Sequence, residues 1–307
     1  MRANALYGLL KTREEGVLTL SYDCQKNLVL PKVQYQATYY SRQSYLYNYT
    51  ICQGSSHDSQ SVRNTFCYAW TEVSFKKGSS EIASALYHRL QNTDLVDIPS
   101  IRLFSDGCGG QNKNKNLIGM ASKLFVEETP RSLQKVILAF PVVGHSFIPP
   151  DRVFGKIERA LKKMPEIVDP IEYESVISKF AVDDVLKPPT SWHFQFQKSK
   201  RIILTRSNDG SVVVQGEPNF MIEVGQPKST VKRGGGRLTS LKPTHIAESI
   251  HFGGPKLEDV RRLLTTYFGG QWGSVERLRY YKTVLQANEG AIAVDDNNTD
   301  FNVLPDD

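Results

Sequence analysis

An apolar run, Ile101-Arg102-Leu103-Phe104, stops at Ser105-Asp106. A turn with Gly107, Gly109 and Gly110 then leads into the polar, basic segment Gln111 to Asn116. The run has the length of a buried strand. From Asn116 to Val126, residues Leu117, Met120, Ala121, Leu124 and Phe125 recur at helical spacing. A carboxylate at the tip of a buried strand is costly unless a charge, a donor or a metal ion meets it. Asp106 therefore either closes a local turn or belongs to a site completed elsewhere in the chain.

The flanking chain narrows the fold. Val17 to Tyr22 alternates as a strand with Asp23 at its end, Leu28 to Pro31 reads as a short apolar turn, and Tyr39 to Cys52 and Phe66 to Ser74 read as two further strands. Ser79 or Ser80 then caps a helix carrying Ile82, Ala85, Leu86 and Leu90. Ser100 to Phe104 is the fourth strand, and Lys135 to Phe140 is apolar throughout, as buried strands are. After Pro149-Pro150, Asp151 to Lys163 is a helix with Val153, Phe154, Ile157 and Leu161 on one face. The order strand, strand, strand, helix, strand, helix, strand, helix resembles the ribonuclease H-like fold, an α/β mixed sheet flanked by helices.

That resemblance implies acids converging on a metal site from the first strand, the end of the fourth strand and the last helix. Asp23, Asp106 and Asp151 occupy those places, and Glu158, two turns beyond Asp151, competes with it for the last role. Glu81, in the first turn of the first helix, is a further metal-ligand candidate. Two Mg2+ (or Mn2+) ions can activate an attacking oxygen and stabilise a leaving one in phosphodiester transfer, and such hard cations require oxygen ligands. Each acid also has a purely structural alternative. Asp151 suits a helix N-cap, Glu81 the positive end of a helix dipole, Glu158 a pair with Lys162, and Asp23 a turn. His145, six residues before Asp151, is placed for a catalytic proton shuttle. Cys24, Cys108 and His145 lack the spacing of a structural zinc motif, and the glycine turn lacks the Gly-Lys-Ser/Thr ending of a phosphate loop.

Charge points to a polyanion. The last twenty residues hold six acids and no Lys or Arg; removing those six from the total of 32 leaves 26 acidic against 38 basic residues, a net of +12 on 1–287. Four scattered cysteines make no disulfide scaffold, no apolar stretch approaches the ~20 residues of a membrane span, and the first residues do not read as a secretory signal. A nuclear or cytoplasmic location away from membranes is expected.

Several motifs together resemble an uncharacterised eukaryotic family, a domain of unknown function in proteins that look derived from transposable elements. They are Asp23-x-Gln25-Lys26, Tyr39-Tyr40-x-Arg42-Gln43, Tyr47-Asn48-Tyr49, Trp70-x-Glu72, Gly78-x-x-Glu81-Ile82, Asp106-x-Cys108-x-Gly110-Gln111-Asn112-Lys113-Asn114 and Gly144-His145-Ser146 ahead of Asp151-Arg152-x-Phe154. The resemblance covers roughly residues 17–165 closely. It implies a transposase- or integrase-type core and, since members often extend further at the N-terminus, a DNA-binding module beyond this chain.

The expected organisation is a ribonuclease H-like core over 1–186, a small β-rich module over 187–245, a helical region over 246–287 and an acidic disordered tail over 288–307. The module would use strands near Trp192–Phe196, Ile202–Leu204, Val212–Val214 and Phe220–Ile222. Its glycine-spaced basic loop, with Lys232, Arg233 and Arg237, would contact nucleic-acid phosphates, as would Lys113 and Lys115. The expected function is metal-dependent DNA strand cleavage or transfer, with homo-oligomerisation compatible. The alternative is a domesticated nucleic-acid-binding protein without catalysis.

Overall fold

The structure is a computed structural model and describes residues 14–35, 41–141, 148–180, 182–183, 199–230 and 252–289. The strand at its centre is β1 (Val17–Cys24), with β2 (Leu28–Leu30), β3 (Ser44–Gln53) and β4 (Thr65–Thr71) following in chain order. Helix α1 (Ser79–Gln91), β5 (Ser100–Phe104), α2 (Lys115–Glu127), β6 (Lys135–Ala139), α3 (Pro149–Leu161) and α4 (Pro170–Ile177) come next. Then come β7 (Val182–Asp183), β8 (Arg201–Arg206), β9 (Val212–Glu217), β10 (Lys228–Ser229), α5 (Gly254–Phe268) and α6 (Arg279–Glu289).

All ten strands join one mixed sheet, in the order β10-β9-β8-β6-β5-β1-β3-β4-β7, with β2 beside β3. β1 runs parallel to β5 and antiparallel to β3, and β5 runs parallel to β6. Alternation along β1 serves two layers. Leu18, Leu20 and Tyr22 enter a core with Ile82, Leu86 and Leu90 of α1 and Leu117, Met120 and Leu124 of α2. The opposite layer packs Val153, Ile157 and Leu161 of α3 with Tyr173 of α4, Val260 of α5 and Tyr281 of α6. Helices thus cover both faces, and among the described residues none is long and apolar enough to cross a membrane.

Three expectations change. Leu28–Leu30 is a short strand paired with β3 rather than a turn. Helix α3 begins at Pro149, because proline is tolerated in a first turn whose N–H groups have no helical partner. Asp151 is therefore not the N-cap; Ile148 is, and its N–H donates to Asp151 Oδ2 at 3.0 Å.

The third change concerns the separate β-rich module. β8 pairs antiparallel with β6 and carries β9 and β10, so these strands extend the core sheet. Ile202, Leu204, Val212 and Val214 enter the same core as α1 and α2. Phe220–Ile222 forms no strand. The Trp192–Phe196 stretch, His145, Lys232, Arg233, Arg237 and the acidic tail from 290 lie outside the described residues.

Candidate metal centre

Three elements bring acids to one end of the sheet. Asp23 is the penultimate residue of β1, opposite Thr50 of β3. Ser21 of β1 lies level with Phe104, the last residue of β5, so the chain beyond each strand leaves the same sheet edge, and Asp106 follows two residues later. Asp151 is in the first turn of α3.

Electrostatics tie the three together. Burial raises the Asp23 carboxyl, and the neighbouring Asp106 and then Asp151 carboxylates raise it further; against the Cys24 amide and Lys77, the balance leaves it pushed up to about 7. Asp151 is also raised, by burial, with the Ile148 amide and Arg152 opposing. Burial and neighbouring carboxylates both disfavour the ionised form, and a cation among these acids would relieve that repulsion.

Each acid is held through one oxygen. Asp23 Oδ1 accepts from the Cys24 N–H at 2.7 Å. Asp106 Oδ1 accepts from the Asn112 side-chain amide and, at 3.3 Å, from the Cys108 N–H. Asp151 Oδ2 accepts from Ile148. The second oxygens take no hydrogen bond among the described residues. Oxygen-only donors of this kind fit a hard divalent cation. Among the described residues no three His, Cys, Asp or Glu side chains form a closed metal-holding group. Mg2+ does not require one, since it is commonly held by one or two carboxylates, water and substrate phosphate.

Glu158 and Glu81 have other partners. Glu158 Oε1 accepts from Gln25 Nε2 at 2.9 Å, and Asn48 Nδ2 donates to Gln25 Oε1 at 2.8 Å. Glu81 Oε2 accepts from the Gly78 N–H at 3.2 Å, so it closes the start of α1. Its pKa is raised by burial and lowered by backbone amides and Lys76. Lys113 sits with its ammonium 5.5 Å from the centre of the Phe140 ring, its pKa lowered by burial. Lys115 is exposed at the start of α2. Burial pushes the Cys24 thiol up to about 12, with Lys77 opposing.

Three residues without an assigned role in the sequence reading support the site. Gln25 holds Glu158, Asn112 holds Asp106, and Lys77, bonded to the Gln25 carbonyl and Asn27 Oδ1 at 3.0 Å each, opposes the Asp23 charge. Both Gln25 and Asn112 stand in the motifs quoted above, one two residues from Asp23 and the other six from Asp106. Only their folded partners reveal their part.

Residues 47–201 match the family described as Domain of unknown function (DUF7869). The chain belongs to this family. The span matched to DUF7869 includes Glu81, Asp106, Asp151 and Glu158, whereas Asp23 precedes it. None of the curated proteins matches the chain.

Proposed function

We propose that this protein is a metal-dependent DNA-cleaving or strand-transferring enzyme of transposable-element origin, built on a ribonuclease H-like core. The observation that carries the reading is the placement of Asp23 near the end of β1, Asp106 just beyond the parallel strand β5 and Asp151 in the first turn of α3, with burial and both other acids raising the Asp23 carboxyl. The element order and the helices on both sheet faces agree with it.

Asp23, Asp106 and Asp151 would hold Mg2+ or Mn2+, which supplies Lewis-acid activation of oxygen at a phosphodiester. The chain orients these ligands before substrate arrives. Asn112 and the Cys108 amide fix Asp106, and the Ile148 amide fixes Asp151. Asp23, in the field of both others, would gain most from a cation that relieves their mutual repulsion. Preorganised ligands spare the reorganisation otherwise required as charge develops.

The test is cleavage of DNA with Mg2+ or Mn2+ against a chelator control. Divalent-dependent cleavage by the wild type, lost in Asp106→Asn, is expected; absence of cleavage on nicked, linear and hairpin DNA alike sinks it. A second reading, a nucleic-acid-binding protein without catalysis, is favoured by the lack of a closed three-ligand group among the described residues. It predicts salt-sensitive DNA binding and no Mn2+-dependent rise in melting temperature.

A further inference from the structure

The outer side of α3 carries a feature the acids do not use. Lys156 and Arg159 lie three residues apart on one side of α3, and Lys162 and Lys163 follow in the turn just past its last residue, Leu161. With Ala160 and Phe180 they line a groove of about 580 Å³ that has no acidic wall. Lys156 is anchored by donating to the Gln60 carbonyl at 3.0 Å. Arg159, Lys162 and Lys163 are exposed, and their side chains make no ion pair or hydrogen bond among the described residues.

Two contacts keep the groove basic. Glu158, the acid within the same stretch of helix, is held by Gln25. Lys32 Nζ donates to the Leu161 and Met164 carbonyls at 2.5 and 2.6 Å, adding a cation where the helix dipole is negative. Four cations around one groove repel one another, and an anionic partner relieves that repulsion.

We infer that this groove seats the phosphate backbone of a DNA strand leading away from the acids; the inference rests on the function proposed above and adds the surface that holds the substrate. The helical part, Lys156 to Leu161, rises about 8 Å, and Lys162 and Lys163 carry the positive charge past its end, so the cations can meet more than one phosphate of a strand. Phe180 offers an aromatic wall on which an unpaired base can stack. Helix α3, which carries Lys156 and Arg159 and leads into Lys162 and Lys163, begins at the Asp151 end of the site, so a strand along it has a fixed bearing on the acids. A lipid surface would be flat and would leave the concave groove and Phe180 unused.

The test is fluorescence anisotropy with a short labelled single strand of mixed sequence across a salt series. Arg159→Glu with Lys163→Glu is compared with Arg131→Glu with Lys228→Glu, an equal charge change on exposed residues before β6 and on the edge strand β10 that line no part of the groove. The groove pair is expected to bind at least about tenfold more weakly, with a salt dependence shallower by about 1.4, or roughly 0.7 per lost phosphate contact on a single strand. The control pair should bind within roughly twofold of wild type, and Phe180→Ala should weaken single strands more than duplex. If the charge-reversed groove pair does not fold, Arg159→Gln with Lys163→Gln reads the same slope. An unchanged slope overturns the inference, as does an equal loss in the control pair or wild-type binding to phosphatidylserine vesicles but not to DNA. Loss in the groove pair from a wild type that binds but never cuts supports the groove and removes only the catalytic reading. Retained cleavage with an unchanged slope does the reverse.

Discussion

Gln25 donates its side-chain amide to Glu158 across 133 residues of chain, at 2.9 Å. That bond separates the two acids of α3. Glu158 is drawn into a polar chain through Gln25 to Asn48, and Asp151 is left as the acid felt by Asp23.

The roles of the two acids should therefore differ. Asp151→Asn is expected to lower metal-dependent cleavage by about 10³-fold, several kcal/mol of lost charge stabilisation. Glu158→Gln, which keeps an acceptor for Gln25, should stay within about tenfold of wild type. Single-turnover rates on one DNA substrate decide this, and equal losses in the two variants refute it.

Asp23 gives the protein a pH signature without divalent ions. Its folded pKa lies near 7, above the ordinary 3.8, so the folded state binds the proton more tightly than the unfolded one. The associated stability is fully present below about pH 4 and is lost as pH rises through 7. Asp23→Asn should consequently raise the melting temperature at pH 8 relative to wild type, by an amount worth roughly a few kcal/mol, with little gain at pH 4. Mn2+ at pH 8 should produce a comparable rise in wild type and none in the variant. Thermal melts across pH read both effects; a pH-independent difference between the proteins contradicts them.

Asn112 acts on Asp106 from a fully buried position. Removing a residue that orients a metal ligand typically costs 10–100-fold in metal affinity or activity. Asn112→Ala should weaken Mn2+ binding by about that factor in calorimetric titration. Unaltered affinity would mean that Asp106 needs no such support.

Glu217, at the end of β9, is buried, yet its pKa is low. Burial raises it, but Gln215, the Val224 and Gly225 amides and Arg201 outweigh that. Its oxygens accept from Val224 N at 2.8 Å and Gly225 N at 3.0 Å. The stability it contributes is present above about pH 4.5 and is lost as pH falls through the folded pKa. Glu217→Ala should cost roughly 2–4 kcal/mol in urea unfolding at pH 7. Gly225→Ala should also destabilise, because its Cβ would stand 2.3 Å from the Gly216 carbonyl oxygen. Both losses should appear in one cooperative transition, since β8 and β9 share the main core. Two separate transitions would show a module that unfolds by itself.

What could be read without a structure was local. Alternation and helical spacing follow from the 2.0 and 3.6 periods of the backbone, so the strand at Ser100–Phe104 and the helix at Lys115–Glu127 were legible almost to the residue. The positions of Asp23 and Asp106 at strand ends followed from the same patterns. Proline chemistry was local too, but misleading at Pro149-Pro150, where a chain break and a helix start look alike.

Partner choice was not local. Nothing in Arg201–Arg206 specifies that it should pair with β6 rather than with its neighbours alone; pairing with the edge of β6 and burial of Ile202 and Leu204 in the main core decided that. The same holds at the centre. The order of the elements supplied five candidate acids, Asp23, Asp106, Asp151, Glu158 and Glu81, and the sequence by itself determined that the first two would stand at strand ends and the others on helices. Only the tertiary structure sorted them, because a pKa shift or a 2.9 Å hydrogen bond depends on distances between segments more than a hundred residues apart, which no local pattern encodes.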